Sequence, residues 1–422
     1  MKAKTWGTKP AYFTAMKVFR FQFLGTYLKR KWLLNIFCCS LFFTFSAHSQ
    51  NWIQSDAPNG NWVSMAGSFH GSNLLAAAYT DADGNAGLIY SSTNGGETWT
   101  PTSAPSNYWF SVASSSDGVR VVAGAYADPA NNPGQIFLST NGGLTWAASS
   151  APAANWQSVA ASADGQVLVG AVYGGGIYVS TNAGADWILS DAPANIGWLA
   201  LAVAADGSKM FATVSGGIYF STNSGAAWIL SSAPALSWLP IICSADGSQI
   251  IAGAQGDGIF VSTNSGATWN LNYAANLSWQ CLARSTYGDV LLAGAYGDSI
   301  YYSKDGGLNW TPQNTSPVLP ISGAWECVFC SADGTHLAAG VFGGNTYYAA
   351  VSQLPPALKI TSQGVLSWPV FPAGFQLQTT STINLSSTWS NVFNSGRVQF
   401  GTNYFMTNNL ALPSAFFRLS RP

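Results

Sequence analysis

Asp257 and Asp298 stand at like positions of a repeating chain, with Glu326 opening a strand nearby. A general acid and its partner carboxylate must face each other across a glycosidic bond at about 5–10 Å. These three are therefore the candidate catalytic set. A second cluster, Asp81-Ala82-Asp83-Gly84-Asn85, starts like a calcium loop, with Asp81, Asp83 and Asn85 as the weak metal candidates. Position six of that loop is Ala86 rather than glycine, and no glutamate closes it. Nucleophilic triads fare worse: beyond residue 50 only His70 and His336 remain, without a Gly-x-Ser-x-Gly elbow. Cys327-x-x-Cys330 is half of a zinc or redox motif with no second pair. In a strand those two thiols would point to opposite faces. Cys281 and Cys327 occupy equivalent positions, so a bridge between them stays open beside the alternative of two buried thiols. No cofactor is expected.

Aromatic residues offer binding rather than chemistry. A tryptophan opens each repeat (Trp62, Trp109, Trp156, Trp198, Trp238, Trp279, Trp325), and Tyr79, Tyr126, Tyr173 and Tyr296 end second strands. Flat rings around a central depression can stack on sugars or receive peptide side chains. The candidate ligand residues are the four tyrosines with Trp109 and Trp156. The competing reading is that the tryptophans wedge neighbouring repeats and meet no ligand.

The elements that position these groups are legible from a phrase written six times, Ser-x-Asn/Asp-x-Gly-x-x-Trp, from Ser92 to Trp99 through Ser303 to Trp310. Its Asn or Asp is Asn94, Asn141, Asn182, Asn223, Asn264 and Asp305. Short alternating apolar runs bounded by Asp-Gly and Asn-x-Gly turns predict four antiparallel strands per repeat. A period near forty with four strands predicts an all-β chain folded as a β-propeller. Seven opening tryptophans predict seven blades over residues 50–352. The last blade lacks its phrase, while Asn51-Trp52-Ile53-Gln54 matches Asp186-Trp187-Ile188-Leu189 with no strands before it. The first strand is therefore expected to complete the last blade. In the phrase, Asn or Asp accepts hydrogen bonds from its own turn and glycine permits a left-handed backbone.

The phrase resembles the Asp-box, or BNR, repeat of sialidases, sortilin-type receptors, xyloglucan-cleaving glycosidases and the photosystem II assembly factor family. The resemblance covers about 300 residues and implies the fold more than an activity. Sialidases clamp their substrate with three arginines, whereas residues 56–333 hold only Arg120 and Arg284. The resemblance leaves three readings: a binding propeller for a glycan or protein partner, a glycosidase using loop carboxylates, and an assembly or scaffold factor.

Charge narrows the partners. All 17 acids lie between Asp56 and Asp333, a span whose only cations are Arg120, Lys209, Arg284 and Lys304. Such an acidic body repels phosphate backbones, so nucleic acid is not an expected partner. Lys29-Arg30-Lys31, the apolar run from Trp32 to Ala47 and Ala47-His48-Ser49 predict a signal peptide over 1–49. The run is short for a membrane span, so an exported protein without a stable span is expected, in the periplasm, at the surface or outside the cell. A Pro-Pro linker at 353–357 then leads to a small β-sandwich-like accessory domain over 358–422.

Overall fold

The computed structural model describes residues 50–273, 275–286, 290–320 and 322–351, with backbone strands between 359 and 420. The expected signal peptide and the 353–357 linker lie outside the described residues. The larger unit spans Thr44–Ser352, and the smaller holds Gln353–Pro422. Every described element is a strand. No helix among the described residues is long and apolar enough to cross a membrane.

In the larger unit a four-stranded antiparallel sheet recurs around a common axis. A representative one runs Trp156–Ala161, Leu168–Gly175, Ile177–Ser180 and Ile188–Leu189, in register at Val159↔Gly170, Gly170↔Tyr178 and Tyr178↔Leu189. Burial grades outward. The second strand Val121–Ala125 is buried along its whole length, whereas the outermost Ala147–Ala148 is exposed. A strand sandwiched between neighbouring sheets must be apolar on both faces, hence the run Val-Val-Ala-Gly-Ala. Seven such second strands succeed one another among the described residues.

The sheets are stitched into a ring at the turns that follow the innermost strands. Phe69 donates its amide to Ser116 O (2.7 Å), Ser116 to Ala163 O (2.8 Å), Ala163 to Ala205 O (2.8 Å) and Ala205 to Ala245 O (2.7 Å). Thr286 donates to Ala332 O (2.8 Å), and Ala332 returns to Phe69 O (2.9 Å). The chain start closes the last sheet. Ile53–Gln54 pairs antiparallel with Thr346–Ala350, Ile53 opposite Tyr348 and Gln54 opposite Tyr347. Trp52 is buried with Trp325, Leu337 and Tyr347, and Asp56 Oδ1 accepts the Trp99 amide at 2.8 Å, tying that strand to the first sheet as well. A sheet edge that would otherwise be open is thereby covered.

The repeated phrase does structural work in each copy. Oδ1 of Asn94, Asn141, Asn182, Asn223, Asn264 or Asp305 accepts the amide four residues on, at 2.8–3.0 Å. The leading serine Oγ accepts the glycine amide, as from Gly184 to Ser180 at 2.8 Å. Gly184 has φ +88°, and a Cβ there would sit 2.5 Å from Leu138 Cδ1 of the preceding sheet. Glycine is needed for both reasons.

The smaller unit contains two antiparallel sheets. Lys359–Ile360, Val365–Pro369, Asn403–Thr407 and Arg397–Phe400 form one, and Ser390–Asn391, Gln376–Thr380 and Phe416–Ser420 the other.

Candidate functional site

The innermost strand of each sheet carries a β-bulge directly after its opening tryptophan. The bulge leaves Val63, Phe110, Gln157, Leu199, Leu239, Gln280 or Glu326 outside the simple ladder, each half-buried. Bulges re-aim side chains at functional surfaces, and here they do so repeatedly on the loop face opposite the repeated phrase. The second strands end on the same face. The residue that follows the partner of each opening tryptophan is Tyr79, Tyr126, Tyr173, Ser215, Gln255, Tyr296 or Phe342.

These two sets meet. The Tyr79 ring lies 5.3 Å from Tyr108 and 5.9 Å from Phe110. Phe110 lies 5.4 Å from Tyr126, and Tyr126 6.5 Å from Tyr173. A contiguous aromatic arc thus crosses three sheets. Tyr173, Tyr296 and Phe342 are exposed at 48%, 56% and 42%. Neighbouring hydroxyls and burial raise the Tyr79 and Tyr126 pKa values, with burial the larger cause, so both rings stay neutral. Of the four tyrosines singled out from sequence, Tyr79, Tyr126 and Tyr173 lie in this arc and Tyr296 does not, while Tyr108, Phe110 and Phe342 of the same face were not singled out. Register against the opening tryptophan would have found Phe342, since it follows Val341 as Tyr173 follows Val172.

Trp109 and Trp156, taken from sequence as ligand contacts, are corrected: both are fully buried. Trp156 packs against Val122 and Ile136 of the preceding sheet, with its Cβ beside Gly124 and its ring over Gly170. The wedge reading is the right one, and small residues such as Gly124, Gly253, Gly294 and Gly340 make room for the incoming tryptophan.

In the calcium-like segment Asp81 turns inward on its own backbone. Asp81 Oδ1 accepts the amides of Asp83 (2.9 Å) and Asn85 (2.8 Å), and Oδ2 accepts Asn85 Nδ2 (3.0 Å). Asp81 thus spends three hydrogen bonds on its own turn, and Asn85 offers it a donor rather than an oxygen. Asp128 and Asn132 repeat the clamp in the next sheet. No group of three His, Cys, Asp or Glu able to hold a metal occurs among the described residues.

Of the candidate catalytic carboxylates, Asp298 Oδ1 accepts Tyr301 Oη (3.0 Å) and the Ser299 amide (2.7 Å). Asp257 is exposed in a tight hairpin of the preceding sheet. Glu326 is one of the bulged residues, and burial raises its pKa. Of the two alternatives for Cys281 and Cys327, the structure has two separate buried thiols and no bridge between them. Cys281 Sγ faces the carbonyl of Trp325 at 3.5 Å, and burial pushes the thiols of both Cys281 and Cys327 up. Of the two histidines, His70 pairs with Asp333 across the ring's closing seam.

Residues 301–312 match the family model of the BNR/Asp-box repeat. No curated sequence matches the chain. Among solved structures it is similar to YCF48 bound to D1 peptide, at 14% identity and TM-score 0.56, covering 72% of this chain and 98% of that one. YCF48 from Cyanidioschyzon merolae is similar at 16% identity and TM-score 0.53, over 71% and 98%. The GH74 xyloglucanase from Xanthomonas campestris is similar at 15% identity and TM-score 0.56, over 76% of this chain but 59% of the xyloglucanase. Identities this low carry the fold alone. The chain is an all-β propeller in which residues 301–312 match the BNR/Asp-box repeat.

Proposed function

We propose that this chain is an exported, non-enzymatic seven-bladed propeller that binds an extended polymer, a polypeptide segment or a glycan, on the loop face opposite the Asp boxes. The aromatic arc from Tyr79 through Tyr108, Phe110 and Tyr126 to Tyr173 carries this reading. Rings at 5–7 Å spacing present a near-continuous apolar rail with polar hydroxyl rims, which suits stacking and directional hydrogen bonds together. The likeness to YCF48 bound to D1 peptide supports the polypeptide arm. Arrays of peptides and glycans probed with the wild type, Tyr126→Ala and Tyr173→Ala test it. Ligands bound by the wild type and lost by both variants support the reading; unchanged binding by the variants removes it.

One observation favours a glycosidase instead: Glu326 is half-buried on the same face with a raised pKa, as a general acid requires. Hydrolysis of a polysaccharide panel by the wild type, abolished in Glu326→Gln, Asp298→Asn or Asp257→Asn, would establish that reading. An assembly role is a special case of polypeptide binding and predicts capture of a protein subunit through the same arc.

A further inference from the structure

Among the described residues the loop face carries no lysine or arginine. The larger unit has four Lys and Arg residues in all, and each sits at the Asp-box side. Arg120 lies in an inner hairpin, where Ser115 donates its amide to the Arg120 carbonyl (2.8 Å). Lys209 Nζ reaches Asp246 O (2.9 Å) and Ser265 Oγ (3.2 Å), Arg284 ends an innermost strand, and Lys304 is inside the last Asp box. Asp81, Asp83, Asp128, Asp257, Asp298 and Glu326 occupy the opposite side. An aromatic rail rimmed only by acids favours a cation, which gains from ring faces and carboxylates at once. A neutral sugar would draw nothing from this one-sided charge.

The arc ends in a pit. Val214 pairs with Gly217 across a two-residue turn, so the position that holds Tyr173 in the preceding sheet is Ser215 here, and the tyrosine ring of that position is missing. The resulting cavity, about 490 Å³, is lined by Tyr173, Ile196, Leu199, Val214, Tyr219 and Leu230. It can take one large apolar side chain. The ring spacing of 6.5 Å between Tyr126 and Tyr173 also matches the roughly 6.6–6.8 Å between alternate side chains of an extended strand.

We propose that the ligand is an extended polypeptide segment whose arginine or lysine side chains stack along the arc between Tyr79 and Tyr173, and whose apolar side chain seats in the pit beside Tyr173. This rests on the binding-platform reading above and assigns it a ligand chemistry. Arginine is the better match, because its guanidinium plane stacks on aromatic faces while its edge still meets carboxylates. Asp81 and Asp128 remain ionised near neutrality because hydrogen bonds from Asn85 and Asn132 hold them below the usual carboxylate range.

Four fluorescent decapeptides test this against the full chain: alternating arginine and serine ending in leucine, and the same peptide with citrulline for arginine, glutamate for arginine, or alanine for leucine. The arginine peptide should bind about ten-fold more tightly than the citrulline peptide, with a preference that shrinks as salt rises. Asp81→Asn with Asp128→Asn, which keeps the Oδ1 acceptor for the backbone amides of each turn, should erase that preference. Ser215→Tyr, which refills the pit, should erase the preference for leucine over alanine while leaving the arginine preference. Equal binding of arginine and citrulline peptides, or tighter binding of the glutamate peptide, overturns the cationic assignment but leaves a peptide platform standing. Glycan binding without peptide binding overturns the polypeptide assignment alone. No binding of any peptide or glycan removes the platform as well. Matching melting temperatures of the variants exclude misfolding as the cause.

Discussion

His70 Nδ1 lies 3.0 Å from Asp333 Oδ2, although 263 positions separate the two residues. The pair links the first and last inner turns, where the amide ring from Ala332 returns to Phe69. Burial pushes the Asp333 carboxyl up, but hydrogen bonds from Ser331, Thr335 and His70 outweigh it and leave the group below the usual range. Asp246, in an equivalent turn, is held at about 2, chiefly by the Ser244 hydroxyl.

Acid should therefore weaken the ring. A carboxylate depressed in the folded state stabilises it fully above the unfolded value near 3.9, and loses that contribution as pH falls through the folded value. The melting temperature should be flat with respect to these groups above about pH 5 and fall toward about pH 2. Asp246→Asn should flatten the lower part of the curve, as read by calorimetry at several pH values. A melting temperature that climbs on acidification would contradict this.

Closure by the first strand should rest on Trp52 rather than Ile53. Trp52 is 2% exposed and Ile53 43%. Trp52→Ala should cost about 3–5 kcal/mol. Ile53→Ala should cost less, about 1 kcal/mol, since nearly half of the Ile53 surface is already in water. Denaturant titration of the two variants separates them; equal losses would mean that the closing strand is held by its backbone alone.

The Asp boxes contain a correctable strain. Ala183 has φ +58° where three other copies carry glycine (Gly95, Gly142, Gly306) and two carry serine, Ser224 and Ser265, at φ +56° and +55°. Ala183→Gly should stabilise by about 0.5–1 kcal/mol, the relief of the left-handed penalty exceeding the added chain entropy. Its neighbour should behave oppositely: Gly184→Ala should cost about 1–3 kcal/mol through strain against Leu138. Thermal melts of the two variants should move in opposite directions.

Ligand-face and wedge aromatics should part company. Tyr173→Ala should leave the melting temperature nearly unchanged and weaken ligand binding about ten-fold, in line with a stacked ring. Trp156→Ala should cost about 3–5 kcal/mol and affect binding only through unfolding. A Trp156 variant that stays folded yet fails to bind would reinstate that residue as a contact.

The repeat architecture was legible because its signals are local. The Asn-x-Gly turns, the opening tryptophans and the displaced Trp52 strand each announce an element within a few residues, and the Ile53 to Tyr348 pairing follows from matching one strand to its missing copy. The candidate face was only half legible. Tyrosine and tryptophan share amphipathic chemistry, and burial alone separates them: Trp109 is covered by Leu75, Ala77 and Ile89 of another sheet, which no local pattern reveals. The acid cluster at Asp81 misled for a related reason, since acid spacing does not say whether a carboxylate faces its own backbone or a cation.

The bulges after the opening tryptophans have a consequence for how the protein can change. Val63, Phe110, Gln157, Leu199, Leu239, Gln280 and Glu326 sit where two residues of one strand oppose one of the next, so their side chains are decoupled from the buried register on either side. They already span aliphatic, aromatic, amide and acidic types on equivalent backbones. Selection can thus rewrite them one slot at a time while the tryptophan wedges and ladders stay fixed. Recognition can drift across the face without the fold having to be reinvented.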